Sequence, residues 1–189
     1  MIKLQLFKHF IARLFLPFPM RVARFEKVTY EQFRKDITDL YGDKYKAVEI
    51  QDMWDNIKLP KRATKGSAGY DFFAPFPFTP SVEDGIVIPT GIRCKIDLGW
   101  VLKIYPRSGQ GFRYGMHEYN TVGIIDNDYY YANNEGHIMV KLSCRKLCPI
   151  IDQGVGFCQG IFEIHGITED DNVTEIRTGG LGSTTEVKK

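Results

Sequence analysis

Residues 121–131 read Thr-Val-Gly-Ile-Ile-Asp-Asn-Asp-Tyr-Tyr-Tyr, so two carboxylates, Asp126 and Asp128, stand two apart behind an apolar run. In an extended chain, residues two apart point to one face. The spacing predicts Asp126 and Asp128 on a shared face at a strand end, with Tyr129 on the other. A carboxylate and an aromatic ring so placed can activate water and read a substrate's shape. Asp-x-Asp is also a common turn, so the other segments decide between the two.

Four such segments stand out. Ala68-Gly69-Tyr70-Asp71 reads as a strand entry carrying one carboxylate. In Pro106-Arg107-Ser108-Gly109, Arg offers a planar fork for phosphate oxygens, Ser a hydroxyl, and Gly close backbone approach; a simple turn is the plain alternative. Gly154-Val155-Gly156-Phe157-Cys158-Gln159-Gly160 is a buried strand with an isolated Gln, or a strand whose Gln works. Arg177-Thr178-Gly179-Gly180-Leu181-Gly182-Ser183-Thr184 can wrap phosphates with backbone N–H groups. It also has the composition of a mobile tail, and both can hold.

The elements that must position these residues follow from periodicity. Thr29 is an N-cap, Phe33, Ile37, Leu40 and Tyr41 follow at helical spacing, and Gly42 is a stop, which predicts a helix over 30–41. Residues 46–56 form a weaker second candidate. From Leu59 onward short β-prone runs alternate with turn residues, at 86–88, 92–96, 100–105, 122–125, 137–143 and 157–164. Many short strands predict an all-β sandwich, jelly roll or small barrel. The chain divides into an N-terminal helical extension over 1–58, a β core over 59–176 and a flexible C-terminal arm over 177–189.

With 189 residues and 43% hydrophobic composition, the chain suits one domain with a real core. A formal net charge of +2 makes no bulk case for nucleic acid. Cys94, Cys144, Cys148 and Cys158 contain no Cys-x-x-Cys pair and no zinc spacing, which predicts four reduced, mostly buried thiols and a cytoplasmic protein. Residues 1–19 show an amphipathic basic pattern, too interrupted to span a membrane and lacking a cleavage site. They read either as an extension upstream of a natural start at Met20 or as a helix packed on the protein or a membrane surface.

Taken together and in order, the five segments resemble the motifs of the trimeric dUTP nucleotidohydrolases (dUTPases), in the phage or Gram-positive form of the family. The resemblance runs from about residue 66 to 186. It implies a jelly-roll-like barrel closed as a homotrimer, with composite sites at the subunit interfaces, and the hydrolysis of dUTP to dUMP and pyrophosphate. It assigns Asp126 to the attacking water. It gives uracil recognition to the Asn120 side chain and to a β-hairpin backbone including Gly123 and Ile125, and places Tyr129 under the deoxyribose. Phosphate contacts fall to Arg107, Ser108, Gly109 and Gln159, and Arg177, Leu181, Gly182 and Ser183 form a closing arm. Asp71 would reach Mg²⁺ through water, and Asp128 would cap the turn. The chain departs from the family pattern in four places. Val155 and Gly156 replace charged residues, Leu181 replaces a Phe that stacks on uracil, Thr185 replaces a Gly, and five extra residues precede Gly136. The insertion implies an enlarged loop near the site or the three-fold axis. A related reading, dCTP deaminase, needs a Glu where Lys141 stands. A third, a regulatory protein that binds a partner through its N-terminal helix and the 130–135 insertion, leaves catalysis possible.

Overall fold

The computed structural model describes residues 19–147, 149–177 and 179–180. The reading of 1–19 therefore falls almost wholly outside the described residues, as do Leu181, Gly182 and Ser183. Ten strands dominate: β1 (Ala23–Lys27), β2 (Lys61–Arg62), β3 (Tyr70–Phe73), β4 (Ile86–Pro89), β5 (Ile92–Ile96), β6 (Trp100–Pro106), β7 (His117–Glu118), β8 (Gly123–Ile125), β9 (Met139–Ser143) and β10 (Gly156–Ile164). Three helices, α1 (Tyr30–Tyr41), α2 (Ala47–Asp55) and α3 (Ser108–Tyr114), and two 3₁₀ turns, η1 (Gly42–Lys44) and η2 (Asn127–Tyr131), complete the elements among the described residues. The fold is all-β and jelly-roll-like, as the strand pattern predicts.

The strands form a five-stranded sheet in the order β2-β3-β10-β6-β8, a three-stranded sheet β4-β9-β7 and the pair β1-β5. β6 lies inside the largest sheet, bonded to β10 on one side and β8 on the other, both antiparallel. Phe72, Phe76, Phe157, Ile88, Leu102, Ile104, Ile138 and Leu142 are fully buried in the core between the sheets. Gly160 sits in the middle of β10. A Cβ there would lie 2.7 Å from Leu102 Cδ1 and 3.0 Å from Phe72 Cε2, so glycine lets two core side chains meet over the strand.

The helix over 30–41 forms as its capping pattern predicts. Thr29 accepts the Gln32 N–H, Phe33 and Ile37 are buried, and Gly42, at φ +58°, donates its N–H to Thr38 O. α2 runs over Ala47–Asp55, inside the weaker candidate. β1 was absent from that reading. Its sequence Ala-Arg-Phe-Glu-Lys carries three charges in five residues, yet it pairs with β5 over its full length. Phe25 turns inward against the rings of Tyr70, Phe72 and Phe162. The N-terminal stretch is thus built into the sheet system as well as helical.

The expectation of four reduced thiols needs correction. Cys94 and Cys158 are free and buried, whereas Cys144 is disulfide-bonded. Lack of Cys-x-x-Cys excludes only one spacing and leaves wider ones open.

Gly160→Ala tests how tightly β10 is packed. Overfilling a close-packed core costs about 1–3 kcal/mol, and we expect the urea midpoint to fall accordingly. An unchanged midpoint would mean that Leu102 and Phe72 have free room to move aside.

Candidate functional site

The chemistry-bearing residues gather in two groups. The first sits where β3, β10 and the end of β6 meet. Asp71 stands opposite Gln159, and Gln159 opposite Tyr105. Arg107 follows β6 directly. Its Nε lies 3.2 Å from Asp71 Oδ1 and its Nη1 donates to Gly156 O at 3.1 Å. Gln110 Nε2 donates to the same carbonyl at 3.3 Å, and Gln159 Nε2 donates to Pro106 O at 3.2 Å. Two glycines make this packing possible: a Cβ at Gly69 would lie 2.4 Å from Gln159 Oε1, and one at Gly156 would lie 2.8 Å from Arg107 Nη1. Gly156, a departure from the family pattern, thereby makes room for the guanidinium.

Ser108 and Gly109 are exposed beside Arg107, and nothing lies within 4 Å of a Cβ built at Gly109. With Gln110, Arg113 and Tyr114 they line a pocket of about 270 Å³. Two guanidiniums, a hydroxyl and an open backbone suit an anionic ligand. The Pro-Arg-Ser-Gly segment is more than a turn. Arg107 is the N-cap of α3, a helix hidden from sequence reading because Gly109 and Gly111 are poor helix formers.

The second group lies at the far end of β8. Asp126 is the N-cap residue of η2, and Asp128 lies within its first turn. The two carboxylates share a face, but a 3₁₀ turn brings them together, since β8 ends at Ile125. Arg177 bridges them, with Nη2 2.8 Å from Asp126 Oδ2 and Nε 3.0 Å from Asp128 Oδ1. Its guanidinium carbon sits 5.6 Å from the centre of the Tyr129 ring. The capping role expected for Asp128 is therefore replaced by an ion pair. The arm begins beside the same loop, where a Cβ at Gly180 would lie 3.3 Å from Asn134 Cγ. Tyr129 is 4% exposed; its hydroxyl donates to His137 O at 2.9 Å and accepts from Asn134 Nδ2 at 2.8 Å.

Between β7 and β8 the chain passes from one sheet to another. β7 pairs with β9, and β8 with β6, so the expected hairpin is a corner crossing sheets. Asn120 is exposed at that corner, Ile125 is buried, and Thr121 holds φ +73°. For a β-branched residue that is a strained conformation, with a cost of roughly 1–3 kcal/mol.

The two groups stay apart within one chain. Ile125 pairs with Leu102, so Asp126 lies level with Val101, while Arg107 is six residues further along the same line. At about 3.3 Å per residue the separation is roughly 20 Å. No hydrogen bond or ion pair joins the groups among the described residues.

Sequence reading missed Glu118. It is 3% exposed, its Oε1 has no hydrogen-bond partner, and a Cβ at Gly123 would lie 3.2 Å from its Oε2. Burial pushes its carboxyl up to about 7, partly opposed by the Gly123 N–H. Only the alternation Met116-His117-Glu118 hints that residue 118 points inward.

Among the described residues no cluster of three or more His, Cys, Asp or Glu could hold a metal. Asp71 is a lone carboxylate with one oxygen turned to Arg107. That donor set fits Mg²⁺ only as an ion that arrives with phosphate oxygens and keeps its waters. No helix among the described residues is long and apolar enough to cross a membrane.

Comparison with known proteins gives the family. The dUTPase family model matches residues 55–185. The deoxyuridine 5'-triphosphate nucleotidohydrolase of Lactococcus lactis subsp. lactis (strain IL1403) is 35% identical over 149 residues, covering 75% of this chain and 98% of that protein. The crystal structure of dUTPase from Streptococcus mutans superposes with a TM-score of 0.58 at 28% identity, over 77% of this chain and 98% of that one. The dUTPase from phage phi11 of S. aureus, in a mutant that shows coordination of a structural Mg(II) ion, shares the fold. Its TM-score is 0.55 at 16% identity, over 82% of this chain and 98% of that one.

The buried Glu118 gives a pH test. Its folded pKa lies above the unfolded value of 4.5. The penalty is therefore absent below pH 4.5, grows as pH rises, and is complete above about pH 7. Glu118→Gln removes the ionisation. We expect its stability relative to wild type to rise by on the order of 3 kcal/mol between pH 4.5 and 8. A difference in urea stability that stays flat over this range would mean that water reaches the carboxylate.

Proposed function

Since the chain belongs to the dUTPase family, and is a dUTP diphosphatase by that membership, we propose how its own residues carry out the hydrolysis. The observation that carries the reading is the roughly 20 Å between Asp126 and Arg107 along one strand. A base must lie within hydrogen-bond reach of the water it activates. Asp126 therefore cannot serve a phosphate held by Arg107 of the same chain. The site is completed by a second copy: one subunit supplies the phosphate-binding group and another supplies the Asp126 loop. A homotrimer, with three such sites, satisfies this through closed rotational symmetry.

Arg107, Ser108, Gly109 and Gln159 hold the triphosphate, and α3 keeps Ser108 and the Gly109 backbone open to it. The corner at Asn120, with the Gly123 and Ile125 backbone, reads uracil. A site built to pair with its polar edge rejects cytosine, because buried polar groups would be left unpaired. Asp126 takes a proton from the water as its oxygen bonds to the α-phosphorus. The bond from that phosphorus to the bridging oxygen breaks, and pyrophosphate leaves in line. Asp71 would hold a Mg²⁺ ion through water, and the ion would supply neutralisation of phosphate charge. Arg177 must leave Asp126 before the carboxylate can act, and the substrate's phosphates are the competing partner. Leu181, where the family has an aromatic ring, brings no ring to stack on the base. The reaction belongs in the cytoplasm, where it supplies dUMP for thymidylate synthesis.

Purified protein with Mg²⁺ should release pyrophosphate from dUTP and leave dTTP, dCTP and UTP largely untouched. Asp126→Asn should lower kcat about 10²–10⁴-fold, and Arg107→Ala should mainly raise KM. Turnover of dCTP with loss of ammonia would favour the deaminase reading. Full activity in Asp126→Asn would remove Asp126 from the role of base.

A further inference from the structure

The Tyr129 ring is anchored through its hydroxyl by residues downstream of it. Its hydroxyl is fixed by His137 O and Asn134 Nδ2, at 2.9 Å and 2.8 Å. The loop that carries those partners folds tightly back. Gly136 holds φ +70°, and a Cβ there would lie 2.6 Å from Tyr129 O and 2.7 Å from Tyr130 Cα. Glu135 holds φ +58°, unusual for a residue with a side chain.

Three residues from the N-terminal stretch hold this loop. Glu26, on β1, accepts the Tyr130 hydroxyl at 2.7 Å. Thr29 gives Glu135 both its backbone N–H, at 2.9 Å, and its hydroxyl, at 2.6 Å. Asp36, on α1, contacts His137 Nδ1 at 2.6 Å. His137 is completely buried. Its Nε2 accepts the Gly91 N–H at 2.7 Å, so the ring proton sits on Nδ1 and is donated to Asp36. Asp36 also accepts from Gln32 Nε2 at 2.8 Å, which ties the carboxylate to its own helix. The loop from Tyr130 to His137, which contains the insertion, is thus clamped at three points by residues about a hundred positions away.

We propose that residues 26–36 are a positioning frame for the sugar-facing wall of the site: Asp36 through His137, and Thr29 through Glu135, set where Tyr129 stands, and discrimination against a 2′-hydroxyl depends on them. This rests on the reading of Tyr129 as the ring beneath the deoxyribose. None of these residues is among those assigned to the substrate, so their effect falls on selection rather than on the chemical step. A ring displaced by a fraction of an ångström opens space at the 2′ position and loosens a fit that excludes UTP.

The test compares kcat/KM for dUTP and UTP, with Mg²⁺, in the full-length wild type and in Asp36→Ala, Asp36→Asn and Glu135→Ala, with thermal unfolding followed in parallel. Asp36→Ala and Glu135→Ala should each reduce the preference for dUTP about tenfold, chiefly through a raised KM for dUTP and a lowered KM for UTP. Asp36→Asn should restore it, because the amide oxygen still accepts the His137 proton. A purely structural role would lower thermal stability in the alanine variants and leave the preference unchanged, and that result overturns the proposal. If Asp36→Ala does not fold, the more exposed Glu135→Ala decides alone. A wild type inactive on dUTP would bring down the hydrolase reading itself and this inference with it, an outcome distinct from an active wild type whose variants keep their preference.

Discussion

A single strand sets the geometry on which everything else depends. β6 is bonded on both sides, so its length is a fixed spacer between the phosphate-binding end at Arg107 and the carboxylate loop at Asp126. A strand in the interior of a sheet does not bend through 20 Å to bring its ends together. Chemistry that needs both ends must recruit a neighbour. On the composite-site reading, each subunit offers two half-sites, and the sheets around β6 hold their separation.

Around that spacer, the two half-sites are secured differently. The phosphate end is held by local packing in one sheet, where Gly69 and Gly156 let Gln159 and Arg107 lie against backbone. The carboxylate end is held from outside the sheet. Its loop depends on Glu26, Thr29 and Asp36, and the buried Asp36–His137 contact joins α1 to the turn at Gly91 as well. Removing one partner of such a buried pair leaves the other unsatisfied, which is why the pair specifies geometry so strongly.

How much of this could be read in the sequence depended on range. α1 was legible because its signals are local: the Thr29 cap, Phe33 and Ile37 four apart, and the Gly42 stop. The runs at 92–96 and 157–164 were legible because β-branched and aromatic residues cluster between turns. β1 was not, since its charges find partners that the local sequence hides: Glu26 pairs with Arg93 across the sheet and with Arg24, and Lys27 donates to Trp54 O. α3 was hidden by its glycines. Glu118 gave only a faint local sign of its burial, the alternation with Met116 and His117. Site residues such as Asp126 and Arg107 were visible by type and order. That they lie at opposite ends of one strand emerged only from the register.

The spacing along β6 has a genetic consequence. On the composite-site reading, a chain crippled at Asp126 still carries a sound phosphate end, and one crippled at Arg107 still carries a sound carboxylate loop. Two inactive alleles of this kind, expressed in one cell, would assemble mixed oligomers in which some sites draw both halves from intact surfaces. Defects on the same half could not rescue each other. The gene would thus divide into two complementation groups whose boundary follows the two ends of one β-strand rather than any break in the linear sequence.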